Sequence, residues 1–217
     1  MPNGMNHSSF IVKEGIPFII PLGVVTLIAF FSGFTWVTVL FFLLTLFVVW
    51  FFRNPERTIP DNPLQLISPA DGKVIRIEEV ASEERSGRSF LKISIFMNVF
   101  NVHVNRIPYS GEVFAIRYKP GKFLSANLDK ASALNERNTV MIRTDDGREI
   151  MTVQIAGLIA RRIVCWLKES AKVKKGERFG LIRFGSRVEV FLPLGSTLLV
   201  KIGDRVRAGE TPIGELT

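Results

Sequence analysis

LIRFGSRVEV, Leu181 to Val190, contains a contradiction. Its flanks are alternating and β-branched, as in a strand, yet Gly185–Ser186 stands at the centre. Glycine weakens a strand interior and marks a bulge, a bend or a close backbone approach. FGSRV is not a hydrolase nucleophile elbow, because Val188 occupies the position of the second glycine. Another chemistry stays open to the pair. In a strained backbone the serine hydroxyl can attack the preceding carbonyl and turn the amide into an ester. β-Elimination then splits the chain and leaves a pyruvoyl group at the new N-terminus. Such a step needs a base for the hydroxyl proton and donors for the oxyanion. Most Gly-Ser pairs are inert, so the dipeptide alone decides nothing.

Outward from this stretch, short β-type runs alternate with turn signals: KVIRIEEV, FLKISIFM, VHVNRI, EVFAIRY, TVMIRT, EIMTVQIA, RVEVFLP and TLLVKI. The spacing predicts a mainly β domain, a β-rich sandwich or barrel, over residues 67–217. DKASALNERN (129–138) is expected to be a loop or a short helical turn. GLIARRIVCWL (157–167) fits a strand or a helix equally. VKKGERFGLI (173–182) and IGDRVRAGETPIGEL (202–216) share a Gly–acid turn and a second glycine, and SPADGKVIRIE opens the domain in a related style. These are similar to the hammerhead β units of lipoyl and biotinyl carriers.

The apolar content is concentrated at the other end of the chain. After a polar tail (1–14), no Asp, Glu, Lys or Arg occurs from Gly15 to Phe52. As one helix this run would extend about 57 Å, against a hydrocarbon core of about 30 Å. It is therefore expected to break near Ser32–Gly33 into a hydrophobic helical hairpin (15–52). Lys13, Arg53 and Arg57 then fall on one side, which the positive-inside rule makes cytoplasmic. A linker with three prolines (53–66) leads to the β domain. The net charge of +8 suits an anionic membrane surface. Nucleic acid is not expected, since the basic residues are dispersed and no binding motif accompanies them.

Few side chains are available for chemistry. His7 lies in a polar terminus, which leaves His103 in FNVHVNRIP. Strand alternation would put His103 on one face with Asn101 and Asn105, which is either a functional row or simply the solvent side. Asp71 in SPADGK occupies a turn position that its type favours for structural reasons alone. One usable histidine and the single Cys165 argue against a zinc site, and Cys165 in IVCW reads as an inert core residue.

FFRNPER, SPADGKV, FMNVFNVHVNRIP, YKPGKF, NERN, QIAGLIARRIV, RFGSRVEVFLP and GDRVRAGETPIGEL occur in this order from Phe51 to Leu216. Together they resemble the short bacterial form of phosphatidylserine decarboxylase. The resemblance implies a membrane-associated, pyruvoyl-dependent carboxy-lyase that converts phosphatidylserine to phosphatidylethanolamine through a Schiff base with the substrate amine. It implies self-cleavage between Gly185 and Ser186 into a large (1–185) and a small (186–217) subunit. The pyruvoyl cofactor then comes from Ser186, with no external cofactor and no metal. LGST (194–197) is similar to the cleavage motif of longer members, but RFGSRVEVFLP carries the short form's signature and favours Ser186 over Ser196.

By the same resemblance His103 is the acid or base of decarboxylation, and Asp71 belongs to the self-cleavage apparatus. Longer members carry a second histidine where this chain has Arg106, so an Asp-His-Ser triad does not transfer intact. His103 is accordingly expected to serve both steps. Arg161, Arg162 and Lys122 are candidate contacts for the lipid phosphate. The implied partner is a phospholipid in the cell membrane, with the catalytic domain on the cytoplasmic face. A homo-oligomer is compatible with the sequence. Three rival readings remain: a non-catalytic membrane-anchored lipoyl-like carrier or adaptor, and a pyruvoyl decarboxylase acting on another serine lipid or on a soluble amino acid.

Overall fold

The computed structural model describes residues 9–81, 87–122, 134–157, 162–183 and 186–216. The chain divides into two compact units, Met1–Glu56 and Arg57–Thr217. The first contains a helical pair, α1 (Ile16–Phe31) and α2 (Thr35–Phe51), preceded by a short 3-10 turn at Lys13–Gly15. The chain turns at Ser32–Phe34, where Gly33 has φ 76°, a left-handed conformation that suits glycine. Val12 N–H donates to Phe52 O at 3.1 Å, which closes the base of the pair. Gly15 leaves room there for Phe52, since a Cβ on it would lie 2.6 Å from the ring.

Polar groups inside the pair are satisfied locally. Thr26 and Thr45 donate to the carbonyls of Leu22 and Phe41, four residues back. Large apolar side chains such as Leu27, Phe31, Trp36 and Leu43 remain exposed. Lys13–Phe31, at 19 residues, is long and apolar enough to cross a bilayer, whereas α2 is shorter.

The second unit is mainly β, in agreement with the expected class. Its main sheet curls like a half-barrel and has eight strands among the described residues. In spatial order they are β13 (Arg205–Val206), β2 (Gly72–Ala81), β3 (Ser89–Met97), β11 (Ser186–Pro193), β7 (Glu149–Ala156), β6 (Arg137–Arg143), β5 (Gly111–Lys119) and β9 (Lys172–Val173). Two three-stranded sheets accompany it. One is β1 (Gln65–Ile67), β14 (Pro212–Glu215) and β12 (Thr197–Leu198); the other is β4 (Val104–Arg106), β10 (Arg178–Ile182) and β8 (Ile163–Cys165). Ile93, Ile95, Val188, Val190 and Ile150 meet in the core on one face of the main sheet. Their β-branched side chains suit a pleated, buried surface.

The LIRFGSRVEV stretch is therefore not one strand with a bulge. It supplies the end of β10 in one sheet and the start of β11 in another, so the chain changes sheets between Ile182 and Ser186. Of the ambiguous 157–167 segment, Ile163–Cys165 forms β8, and 158–161 lies outside the described residues. Of the expected loop or short helical turn at 129–138, residues 129–133 lie outside the described residues, and its end is corrected, because Arg137 and Asn138 already pair with Ile155 and Gln154.

The two similar glycine turns correspond in structure. Gly176 links β9 to β10 and Gly209 links β13 to β14, each with φ 83°. Their amides donate to Ile107 O and Ser68 O. A Cβ on Gly176 would lie 2.3 Å from Ile59 Cδ1, whereas one on Gly147 (φ 84°) would meet open space. Gly176→Ala therefore combines backbone strain with a clash and is expected to cost about 1–3 kcal/mol. Gly147→Ala should cost less. Urea unfolding of the two purified variants measures the difference.

Candidate active site

Several strand ends lie level at one edge of the main sheet. Ser186 opens β11 and pairs with Met97 at the end of β3 and with Ala156 at the end of β7. Gly72 opens β2 on the far side of β3. Ser186 is fully buried, and its hydroxyl donates to Met97 Sδ at 3.3 Å. A thioether is only a weak acceptor and no base.

His103 lies in the segment that joins β3 to β4. The turn before it is held by Asn98 and Asn101, whose side-chain oxygens accept N–H bonds from Phe100 and Asn98 at 2.9 Å. Asn101 O lies 3.0 Å from His103 Nδ1. A carbonyl only accepts, so Nδ1 carries the proton and the lone pair of the neutral ring sits on Nε2. His103 is 2% exposed, which rules out the solvent-facing alternative. The expected alternation fails because Val102 through Arg106 are all buried. The Ile182 N–H reaches His103 O at 3.4 Å and ties the histidine to the end of β10, just before the crossing to Ser186.

Asp71 precedes β2, and its carboxylate is already engaged. Arg57 grips both oxygens at 3.1 and 2.9 Å, and Ala208 N–H donates at 2.8 Å. Sequence reading used Arg57 only as a topological charge and missed this fork, for which FFRNPER offered no signal beyond an Arg-carboxylate match. Arg106, found where a second histidine was sought, donates through Nη1 to Gly176 O at 2.8 Å, and its N–H bonds to Pro69 O at 2.9 Å. A guanidinium stays protonated in proteins, so Arg106 serves as a clamp between loops and not as a base.

Of the basic candidates, Lys122 and Arg162 are exposed, and Arg162 O accepts the Arg183 N–H. Arg161 and Gly185 lie outside the described residues. Ser196 occupies a turn after β11 and donates to Pro193 O at 2.8 Å. Among the described residues no cluster of His, Cys, Asp and Glu is placed to hold a metal. A surface groove lined by Asp61, Tyr109, Thr144 and Lys175 lies at the opposite end of β6 and β7 from Ser186.

Beneath Ser186 runs a chain of buried amides that the sequence did not announce. Asn138 donates to Gln154 at 3.1 Å, and Gln154 donates to Asn105 at 2.9 Å. Asn105 Nδ2 then lies 3.9 Å from Met97 Sδ.

The sequence profile of the phosphatidylserine decarboxylase family matches residues 44–214. This chain belongs to that family. A relative from Syntrophus aciditrophicus (strain SB), named phosphatidylserine decarboxylase proenzyme, is 62% identical over 97% of this chain and 99% of its own length. Proteins of the same name from Desulfotalea psychrophila and Aromatoleum aromaticum are each 50% identical, over 95% and 100% of this chain and 96% and 100% of their own lengths. The family is one of carboxy-lyases, so a non-catalytic adaptor is not favoured.

Within this family member the Arg57–Asp71 pair is nearly buried, with side chains 9% and 11% exposed. Removing one partner strands the other charge. Arg57→Met is therefore expected to cost about 3–5 kcal/mol in urea unfolding, and Arg57→Met/Asp71→Leu should recover part of that.

Burial pushes the Cys165 thiol up, against smaller pulls from the Leu167 backbone and the Asn138 side chain. A raised value means less thiolate at any given pH. At pH 8 the folded protein should react with a maleimide at least about tenfold more slowly than the urea-unfolded chain, as read by intact mass.

Proposed function

We propose that this chain decarboxylates phosphatidylserine to phosphatidylethanolamine with a pyruvoyl group that it makes by splitting itself at Gly185–Ser186. The observation that carries the reading is the placement of Ser186. It is a fully buried hydroxyl on the first residue of a doubly paired strand, where the chain crosses between sheets. The segment before it is tied to His103. In the relatives' name, "proenzyme" fits a chain that must be processed.

The residues present fit such a group. β11 keeps partners on both sides, β3 and β7, so the new N-terminus at residue 186 stays fixed after the split. Ser196, by contrast, spends its hydroxyl on a turn carbonyl. The group supplies an electron sink for the charge left when carbon dioxide departs.

Every other contribution comes from the chain. His103 presents Nε2 as the basic atom, because Asn101 O holds the proton on Nδ1. It first takes the Ser186 hydroxyl proton and later exchanges protons with the substrate. One residue serves both steps, since Arg106 offers no base. Asp71 acts at one remove. Its carboxylate anchors Arg57 and the Ser68–Asp71 turn, whose Pro69 O receives the Arg106 N–H three residues after His103. Burial of the site excludes water from the developing charges.

The substrate is a lipid, and the apolar N-terminal helical pair of the same chain serves as its membrane anchor. Proximity to the bilayer raises the local concentration of headgroups. Arg161, Arg162 and Lys122 then serve the lipid phosphate, with the catalytic unit on the cytoplasmic face of the cell membrane.

Intact-mass analysis of the purified protein tests the reading. The expected products are 1–185 and a 186–217 fragment whose N-terminus is blocked as pyruvoyl. Ser186→Ala and His103→Ala should remain single chains of about 24.4 kDa. Asp71→Asn should split slowly but completely. A wild-type chain that never splits would overturn the proposal, and normal splitting of His103→Ala would remove the dual role. Release of carbon dioxide from phosphatidylserine vesicles then fixes the headgroup.

A further inference from the structure

We propose that Asn105 donates a hydrogen bond to the oxygen that leaves Ser186 during self-cleavage, and that Gln154 and Asn138 are positioning residues that hold its amide for that task. The inference rests on the reading of Ser186 given above.

Asn105, Gln154, Met97 and Ser186 are all fully buried, and Asn138 is 3% exposed. The amides are linked in one direction. Asn138 Nδ2 gives to Gln154 Oε1 at 3.1 Å, and Gln154 Nε2 gives to Asn105 Oδ1 at 2.9 Å. Turning the Asn105 amide alone would set two N–H groups against each other, so the network decides its orientation. Its oxygen is taken up, and its Nδ2 points to Met97 Sδ at 3.9 Å. The Ser186 hydroxyl reaches the same sulfur at 3.3 Å. A buried amide donor thus converges with the reacting hydroxyl on a shared, weak acceptor. A buried donor gains when a charged oxygen appears beside it.

The chemistry produces such an oxygen. Ser186 Oγ adds to the Gly185 carbonyl carbon and gives its proton to the base. The C–N bond then breaks, the amine takes a proton, and an ester joins the two residues. Loss of the Ser186 Cα proton drives out Oγ with the Cβ–O bonding pair. That oxygen becomes part of a carboxylate on Gly185, and dehydroalanine remains at 186. Its imine tautomer takes up water and loses ammonia, which leaves the pyruvoyl group. Charge grows on Oγ as it departs, where Asn105 Nδ2 can meet it. Gln154 also lies close under β10, because a Cβ on Gly180 would come 3.1 Å from its Nε2. The amide chain therefore has little room to rearrange.

The test follows splitting of the full-length chain in wild type, Asn105→Ala, Asn105→Asp and Gln154→Glu, by gel and intact mass, with and without hydroxylamine. Hydroxylamine cleaves an ester at Gly185 and releases a 186–217 fragment that begins with serine instead of pyruvoyl. Asn105→Ala and Asn105→Asp should split about a hundredfold or more slowly than wild type. Both should hold an ester that hydroxylamine opens, which itself shows that the site has folded. Gln154→Glu, whose carboxylate cannot donate to Asn105 Oδ1, should show the same accumulation to a smaller degree.

Splitting of either Asn105 variant at the wild-type rate overturns the inference. So does an unsplit Asn105 variant that hydroxylamine leaves intact. If wild type neither splits nor yields to hydroxylamine, the reading of Ser186 fails together with this one.

Discussion

A strand can be hydrogen-bonded on both sides and still end in a reactive residue only where the chain leaves the sheet. β11 meets that constraint at Ser186, between Met97 on β3 and Ala156 on β7. β10, which precedes it in the chain, belongs to a different sheet. The level ends of β2, β3, β7 and β11 bring the neighbours of Ser186 to the same edge.

Electrostatics around this edge follow from burial. Several buried charges near the sheet end are paired or hydrogen-bonded, as such burial requires. Asp71 has Arg57 and the Ala208 amide, and Arg106 has the Gly176 carbonyl. Arg187, 1% exposed, lies 3.3 Å from Glu189 on the face of β11 opposite Val188, and Ser94 adds a hydroxyl to Glu189. These groups are committed to structure, and the proposed proton chemistry falls to the buried His103.

The β class, the helical pair and most strand positions were legible in hydrophobic alternation and turn residues. The change of sheet was not, because LIR and RVEV read alike whether or not they share a ladder. Burial of Arg187 and Glu189 was equally hidden, since alternation assigns charged positions to solvent. His103 illustrates the same limit: a polar row suggests an outer face, yet every residue from Val102 to Arg106 is covered. The family resemblance singled out Ser186, His103 and Asp71. It said nothing of Arg57, more than a dozen residues from its carboxylate, or of an amide chain drawn from three separate strands. Such partnerships depend on register, which single residues do not encode.

The central position of β11 bears on the life history of the molecule. Before the proposed split this strand folds as part of one continuous chain, and closing its long loops is an intramolecular event. Afterwards residues 186–217 are a separate polypeptide, held in the middle of the main sheet with a buried ion pair on one face and core valines on the other. Refolding after denaturation would then require two chains to meet, at a rate set by concentration. The fold would be assembled once, as a single chain, and its persistence afterwards would be governed by how slowly it opens.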